Sequence, residues 1–248
     1  MATKLRLDKL LVERGLAANV EYAARLVMSG IVYTDNRRLD KPGEQVLVTC
    51  PISVKNTKSH EWVSRGGIKL AHGLDYFHVN PTGMTALDIG ASTGGFTDVL
   101  LTYGARKVFA VDVGYNELAW KLRQDPRVVV CERMNARFLT EAEITEPVQI
   151  IVCDASFIGL ATVLTIPMRF AAIGAIMIAL IKPQFEVSKE QVGEKGIVSD
   201  PLLHHEVCMK IHTWLDAQVG WSVLGITPSP IKGMGGNTEF LIGAKYHG

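Results

Sequence analysis

The feature that most constrains the fold is an alternation that begins after Pro81, in which short apolar runs rich in β-branched residues are separated by stretches of helical periodicity. Read along the chain, strands fall at 85–89, 107–111, 128–131, 149–153, 175–181, 221–226 and 239–244. Helices fall between them at 96–103, 117–123, 160–169 and 201–218. Strands joined through helices cannot be hairpin neighbours, so the pattern predicts an α/β body with a mostly parallel, seven-stranded sheet covered on both faces. Ligands then belong beyond the carboxyl ends of the strands, near the switch in strand order.

Ahead of this body the pattern differs. Leu7, Leu10 and Leu11, then Ala23, Ala24, Val27 and Met28, recur at helical spacing, with Gly15 and Gly30 as stops and Asn19 as a cap for the second helix. Strands at 31–33 and 45–49 follow, completing a small α+β module. Residues 51–60 are polar and aperiodic and read as a linker, which divides the chain into 1–60 and 61–248. After Gly66-Gly67, a helix from Ile68 through Phe77 then braces the body. A chain of 248 residues, 48% apolar and 21% charged, has room for both parts. That composition excludes disordered, collagen-like and disulfide-scaffold classes.

The formal charge is only +1, yet it is unevenly spread: residues 1–80 hold 12 Lys/Arg against 8 Asp/Glu, and 81–248 hold 14 against 17. A basic module joined to a catalytic one is the reading, with Lys4, Arg6, Lys9, Arg25, Arg37 and Arg38 either gripping a polyanion or forming a solvated face. Cys50, Cys131, Cys153 and Cys208 are widely spaced without a CxxC pair, and His204 and His205 diverge on a helix, so no metal site is expected. With no secretory leader visible, a cytoplasmic location is expected. The longest apolar run, 170–181, has 12 residues and is too short to span a bilayer.

Four strand ends carry the chemistry. At the first stands DIGASTGGF, 88–96, whose Gly90, Gly94 and Gly95 open a helix and admit a ligand close to the backbone. The spacing departs from the G-x-G-x-x-G of dinucleotide enzymes, which disfavours a dehydrogenase, and there is no phosphate-binding G-x-x-x-x-G-K. Asp112 ends the neighbouring strand, placed to accept from both hydroxyls of an adenosine ribose. Asp154, in CDASF, and Lys182, in IKP, end two further strands and are expected to converge on one mouth of the sheet. Taken singly, Asp154 could cap a helix and Lys182 could snorkel.

Together the segments VSRGGIKL, DIGASTGGFTD, CDASFI, IKPQFE and GNTEF resemble the TlyA family, historically called haemolysin A, over nearly the whole chain. The resemblance implies an FtsJ-type, Rossmann-like methyltransferase that uses S-adenosylmethionine to methylate cytidine ribose 2′-oxygens in ribosomal RNA. The front module, at RLDKLLVERGLA and 20–30, is similar to a small RNA-binding domain of ribosomal proteins and pseudouridine synthases. By position, the family's Lys-Asp-Lys-Glu tetrad falls on Lys69, Asp154, Lys182 and Glu239. Cofactor contacts are expected from Asp88, Gly90, Ala91, Ser92, Gly94, Gly95, Phe96, Asp112 and Asp154, and RNA contacts from Arg6, Lys9, Arg25, Arg37, Arg38 and Arg65.

A ribose hydroxyl is a poor nucleophile, and a lysine can serve as its general base once burial and a second cation such as Lys69 disfavour the ammonium form. Lys182 is the expected base, with Asp154 and Glu239 holding the two amines, without a metal. Actinobacterial relatives carry Arg-x-Trp-Val where this chain has His60-Glu61-Trp62-Val63, which puts any function of that arginine in doubt. The competing readings are a membrane-active haemolysin, for which no insertable segment is seen, and an idle RNA-binding protein, against which the intact tetrad argues. The expected partner is ribosomal RNA or a ribosomal subunit.

Overall fold

The computed structural model describes residues 3–17, 19–35, 37–54 and 61–248. The chain divides into two compact units, Met1–Glu61 and Trp62–Gly248. In the first, strand β1 (Lys4–Arg6) leads into helix α1 (Leu7–Glu13) and then α2 (Val20–Met28). Asn19 caps α2, its side-chain oxygen accepting from the Tyr22 N–H at 2.8 Å. Strands β2 (Val32–Thr34), β3 (Arg37–Arg38), β4 (Gln45–Leu47) and β5 (Ser53–Val54) complete two small sheets, β1–β4 and β3–β2–β5. Leu7, Leu10, Leu11, Ala23, Val27, Val32 and Leu39 form their core.

One expectation changes here. Ser53–Val54 is not linker: it pairs antiparallel with Val32 and Tyr33, because Val54 packs against the module core. Residues 55–60 of the expected linker, including His60, lie outside the described residues.

The second unit begins with α3 (Gly66–Tyr76), followed by β6 (Thr85–Ile89), α4 (Gly95–Thr102), β7 (Lys107–Val111), α5 (Trp120–Arg123), β8 (Val128–Cys131) and β9 (Val148–Cys153). It ends with α6 (Leu160–Leu164), β10 (Ala171–Ile181), α7 (Pro201–Asp216), β11 (Trp221–Pro228) and β12 (Phe240–Tyr246). The seven strands run β11-β12-β10-β9-β6-β7-β8, with β12 antiparallel to both of its neighbours and the remaining pairs parallel.

Side-chain alternation explains the continuous apolar runs. On β9, Ile151 and Cys153 enter one core while Ile150 and Val152 enter the other, so both faces of the strand are dry. The strand order reverses between β6 and β9, each the first strand of its half, and their carboxyl ends open a crevice there. The 12-residue apolar run becomes β10, and no helix among the described residues is long and apolar enough to cross a membrane.

Candidate active site

The crevice is floored by the turn that follows β6. Gly90 has φ 79° and Gly94 has φ 93°, both left-handed. A Cβ on Gly90 would stand 2.9 Å from the backbone of Ala155, so glycine is what lets the β9 loop lie directly on the turn. Gly94 serves a different purpose from the expected one: its missing Cβ makes room for Leu122 and Leu118, and it packs against the α5 region rather than a ligand. Gly95 and Phe96, at the start of α4, do face the crevice.

Two cavities adjoin above this floor, of about 440 and 410 Å³, and Gly90, Ser92, Asp154 and Ser156 line both. The second has apolar walls from Val111, Met134, Ile158 and Val163, and adds Asp112, Glu117 and Asn135 to the shared polar residues Ser92, Asp154 and Ser156. That is the composition a flat base and a ribose diol require. Asp112 already accepts from the Ser92 N–H at 2.8 Å on one oxygen and from the Gly114 N–H at 2.7 Å on the other. It therefore ties two loops together, and each oxygen keeps one lone pair for a ligand.

Asp88 lies beneath the turn and on neither cavity wall, fully buried because β6 is covered on both faces. Its Oδ2 accepts from the Thr97 hydroxyl at 2.6 Å, and its Oδ1 has no hydrogen-bond partner among the described residues. Burial raises its carboxyl to about 7, against the opposing Thr97 hydrogen bond and with a further push from the charges of Asp154 and Asp112. Direct cofactor contact by Asp88, as expected from sequence, does not follow from this position.

The first cavity holds the tetrad. Lys69, from α3, places its amine 2.6 Å from Glu239 Oε2 and 4.0 Å from Asp154 Oδ2. Lys182, just past β10, places its amine 2.6 Å from Asp154 Oδ1, 2.8 Å from Ser156 Oγ and 3.1 Å from the Asp154 carbonyl. The four groups form one chain, Glu239–Lys69–Asp154–Lys182, with Asp154 between the two amines, so a carboxylate offsets the cation–cation repulsion that the sequence suggested. Glu239 directly precedes β12 rather than opening it. A Cβ on Gly233 would come within 1.9 Å of Glu239 Oε1, so the glycine-rich loop is what admits this carboxylate.

Sequence reasoning missed Ser156, Gln184 and Glu117, which line the cavities. Each follows a strand of the sheet by a few residues, and that position was the available signal. It also missed the ring pair Phe157–Phe185, with centroids 5.1 Å apart and Phe157 exposed at the rim.

The expected RNA contacts are less free than their charge suggests. Arg6 pairs with Asp8 at 2.6 Å, Arg37 with Glu44 at 2.7 Å and Arg38 with Asp40 at 3.8 Å, while Arg25 stacks over the Tyr22 ring. Lys9 is exposed. Arg65 belongs to the other unit, on the wall of the first cavity, where it donates to the Lys232 carbonyl at 3.4 Å.

With this geometry in place, comparison with known proteins is decisive. The FtsJ-like methyltransferase family matches residues 62–246, and the S4 domain matches residues 5–49. The chain belongs to the FtsJ-like methyltransferase family. This methyltransferase is 48% identical over 240 residues to the candidate rRNA methyltransferase YqxC of Bacillus subtilis, covering 96% of this chain and 85% of that one. It is 45% identical over 242 residues to the 16S/23S rRNA (cytidine-2′-O)-methyltransferase TlyA of Mycobacterium tuberculosis, covering 98% of this chain and 90% of that one. Among solved structures it is similar to a candidate haemolysin from Streptococcus thermophilus, at 41% identity and TM-score 0.74, covering 100% of this chain and 90% of that one.

Proposed function

We propose that this methyltransferase moves the methyl group of S-adenosylmethionine to the ribose 2′-oxygen of a cytidine in ribosomal RNA, in the cytoplasm where ribosomes work. The observation that carries the reading is the Lys182 amine of the first cavity standing 2.6 Å from Asp154, a carboxylate that lines both cavities. When bound, S-adenosylmethionine supplies an electrophilic methyl group on a sulfonium sulfur. The second cavity suits its adenosine, with Asp112 and Glu117 toward the ribose, and the 90–95 turn suits its amino-acid end.

The acceptor nucleotide then occupies the first cavity. Lys182 is the base for removal of the 2′-hydroxyl proton, and Asp154 orients the Lys182 amine. Lys69 pins Asp154 from the other side and is itself held by Glu239. Lys69, Lys182 and Glu239 are at most 8% exposed, which keeps competing water away from the charged groups. No covalent enzyme intermediate is needed, because positioning and proton removal suffice for a direct displacement.

The front module, residues 1–60, supplies RNA affinity through its basic side chains, and residues 61–248 supply chemistry. The relative from Mycobacterium tuberculosis is named for cytidine 2′-O-methylation of ribosomal RNA, which supports the substrate class. The test is methyl transfer from labelled S-adenosylmethionine to purified ribosomal subunits, followed by nucleoside analysis. Label in 2′-O-methylcytidine is expected. Label confined to base atoms, or none at all, would overturn the reading.

A further inference from the structure

We propose that the Ser156 hydroxyl is a catalytic residue that carries the proton from the acceptor 2′-oxygen to the Lys182 amine, an inference that rests on the ribose-methylation reading above. Lys182 Nζ has three oxygen neighbours: Asp154 Oδ1 at 2.6 Å, Ser156 Oγ at 2.8 Å and the Asp154 carbonyl at 3.1 Å. Only the serine hydroxyl and the Asp154 carbonyl are aligned as hydrogen-bond acceptors of the amine, while Asp154 Oδ1 is an ion-pair neighbour without that alignment. A general base must be a neutral amine, which has two N–H bonds and a lone pair, and that lone pair needs a donor. An ionised carboxylate and a carbonyl can only accept. Ser156 alone of the three can reverse its hydrogen bond and donate to nitrogen, so it serves both protonation states.

Position supports the same assignment. Lys182 is 7% exposed and lines only the first cavity, whereas Ser156 is exposed and lines both. The serine therefore stands where donor and acceptor meet. Its loop is held firmly: Ala155 packs on Gly90 with no space for a Cβ, and Phe157 sits at φ 65°, a left-handed conformation that a bulky residue keeps only when its surroundings impose it.

The step balances. The O2′–H bond breaks as the O2′–CH3 bond forms and the S–CH3 bond breaks. The released proton goes to Ser156 Oγ while the serine's own proton goes to the lone pair of Lys182 Nζ. Serine ends as a neutral hydroxyl, and lysine ends as an ammonium carrying the positive charge that began on sulfur.

The experiment compares wild type, Ser156→Ala and Ser156→Thr in single-turnover methyl transfer to purified ribosomal subunits, in mixtures of H2O and D2O. The relay predicts a rate loss of roughly 10²-fold or more for Ala, within the range of a lost acid–base group, and rescue to within about tenfold by Thr. It predicts a curved dependence on deuterium fraction in wild type, because two protons move, and a straight one in Ala. A second readout needs no turnover: in ¹⁵N-lysine-labelled, cofactor-free protein, the Lys182 Nζ protons should exchange with solvent faster in Ala than in wild type or Thr. Wild-type rates in Ala, a straight deuterium dependence in an active wild type, or unchanged Nζ exchange would each overturn the relay. Absence of transfer by wild type would instead strike the reading beneath it.

Discussion

Replacing Asp88 by Asn isolates the cost of burying a carboxyl beneath the 90–95 turn. The amide keeps the shape and still accepts from the Thr97 hydroxyl that now stands 2.6 Å from Oδ2, but it cannot ionise. In the wild type, burial holds the carboxyl near 7 against an ordinary value of 3.8. Because the folded pKa is raised, the native state binds more protons than the unfolded state between these values, so stability falls as pH rises through that window. Each pH unit there is worth about 1.4 kcal/mol. The window from 3.8 to about 7 therefore amounts to about 4 kcal/mol.

The assay is urea unfolding of both proteins from pH 4 to 8. All four tryptophans, Trp62, Trp120, Trp214 and Trp221, lie in the second unit, so intrinsic fluorescence reports that unit alone. Other titrating groups cancel in the difference between the two proteins. The stability of wild type relative to Asp88→Asn should decline by about 4 kcal/mol over this range and flatten above pH 7. A difference constant to within about 1 kcal/mol would refute the argument that Asp88 is held protonated by burial.

Two further outcomes are expected. Asp112→Ala should weaken S-adenosylmethionine binding by about 1–3 kcal/mol, since it removes both a ligand acceptor and the clasp on Ser92 and Gly114, and unchanged calorimetric affinity would remove Asp112 from the site. Neutralising Lys9, Arg37 and Arg38 to Gln, while sparing the Arg6 that pairs with buried Asp8, should lower both affinity for ribosomal RNA and its salt dependence. Cofactor affinity should stay the same, and an RNA affinity with an unchanged salt slope would place the grip outside residues 1–60.

Strands β6, β7 and β8 were legible to the residue, because each is a short run rich in β-branched residues bounded by turn signals, with β6 and β7 buried and β8 half-buried at the sheet edge. Helix ends were less so. The expected helix at 117–123 shrinks to Trp120–Arg123 because the Ala119 N–H is committed to the Thr93 carbonyl, and the one at 160–169 stops at Leu164 ahead of Pro167. β10 begins four residues early, at Ala171, through a register shift that passes Gly174 at φ 86°.

In the site, Lys69, Asp154, Lys182 and Glu239 could be placed from their motifs, and the structure brings them together. Which way a residue of the glycine turn faces could not be read, since period alone does not say that Asp88 points into the core and Gly94 toward Leu122. Nor could the ion pairs of Arg6 with Asp8, two residues on, and of Arg37 with Glu44, seven residues on, be read from charge counts, which do not say how the turns bring these side chains together.

The central claim is that Lys182, in the first cavity beside the carboxylate shared by both, is the base on which removal of the acceptor proton depends. Its most direct test is single-turnover methyl transfer by Lys182→Ala and Lys182→Arg, with S-adenosylmethionine affinity measured on the same preparations. Both variants should bind cofactor near the wild-type level and fail to form 2′-O-methylcytidine, Arg included, because a guanidinium keeps its charge and cannot accept the proton. Substantial transfer by Lys182→Arg would contradict the account and show that position 182 acts through charge alone.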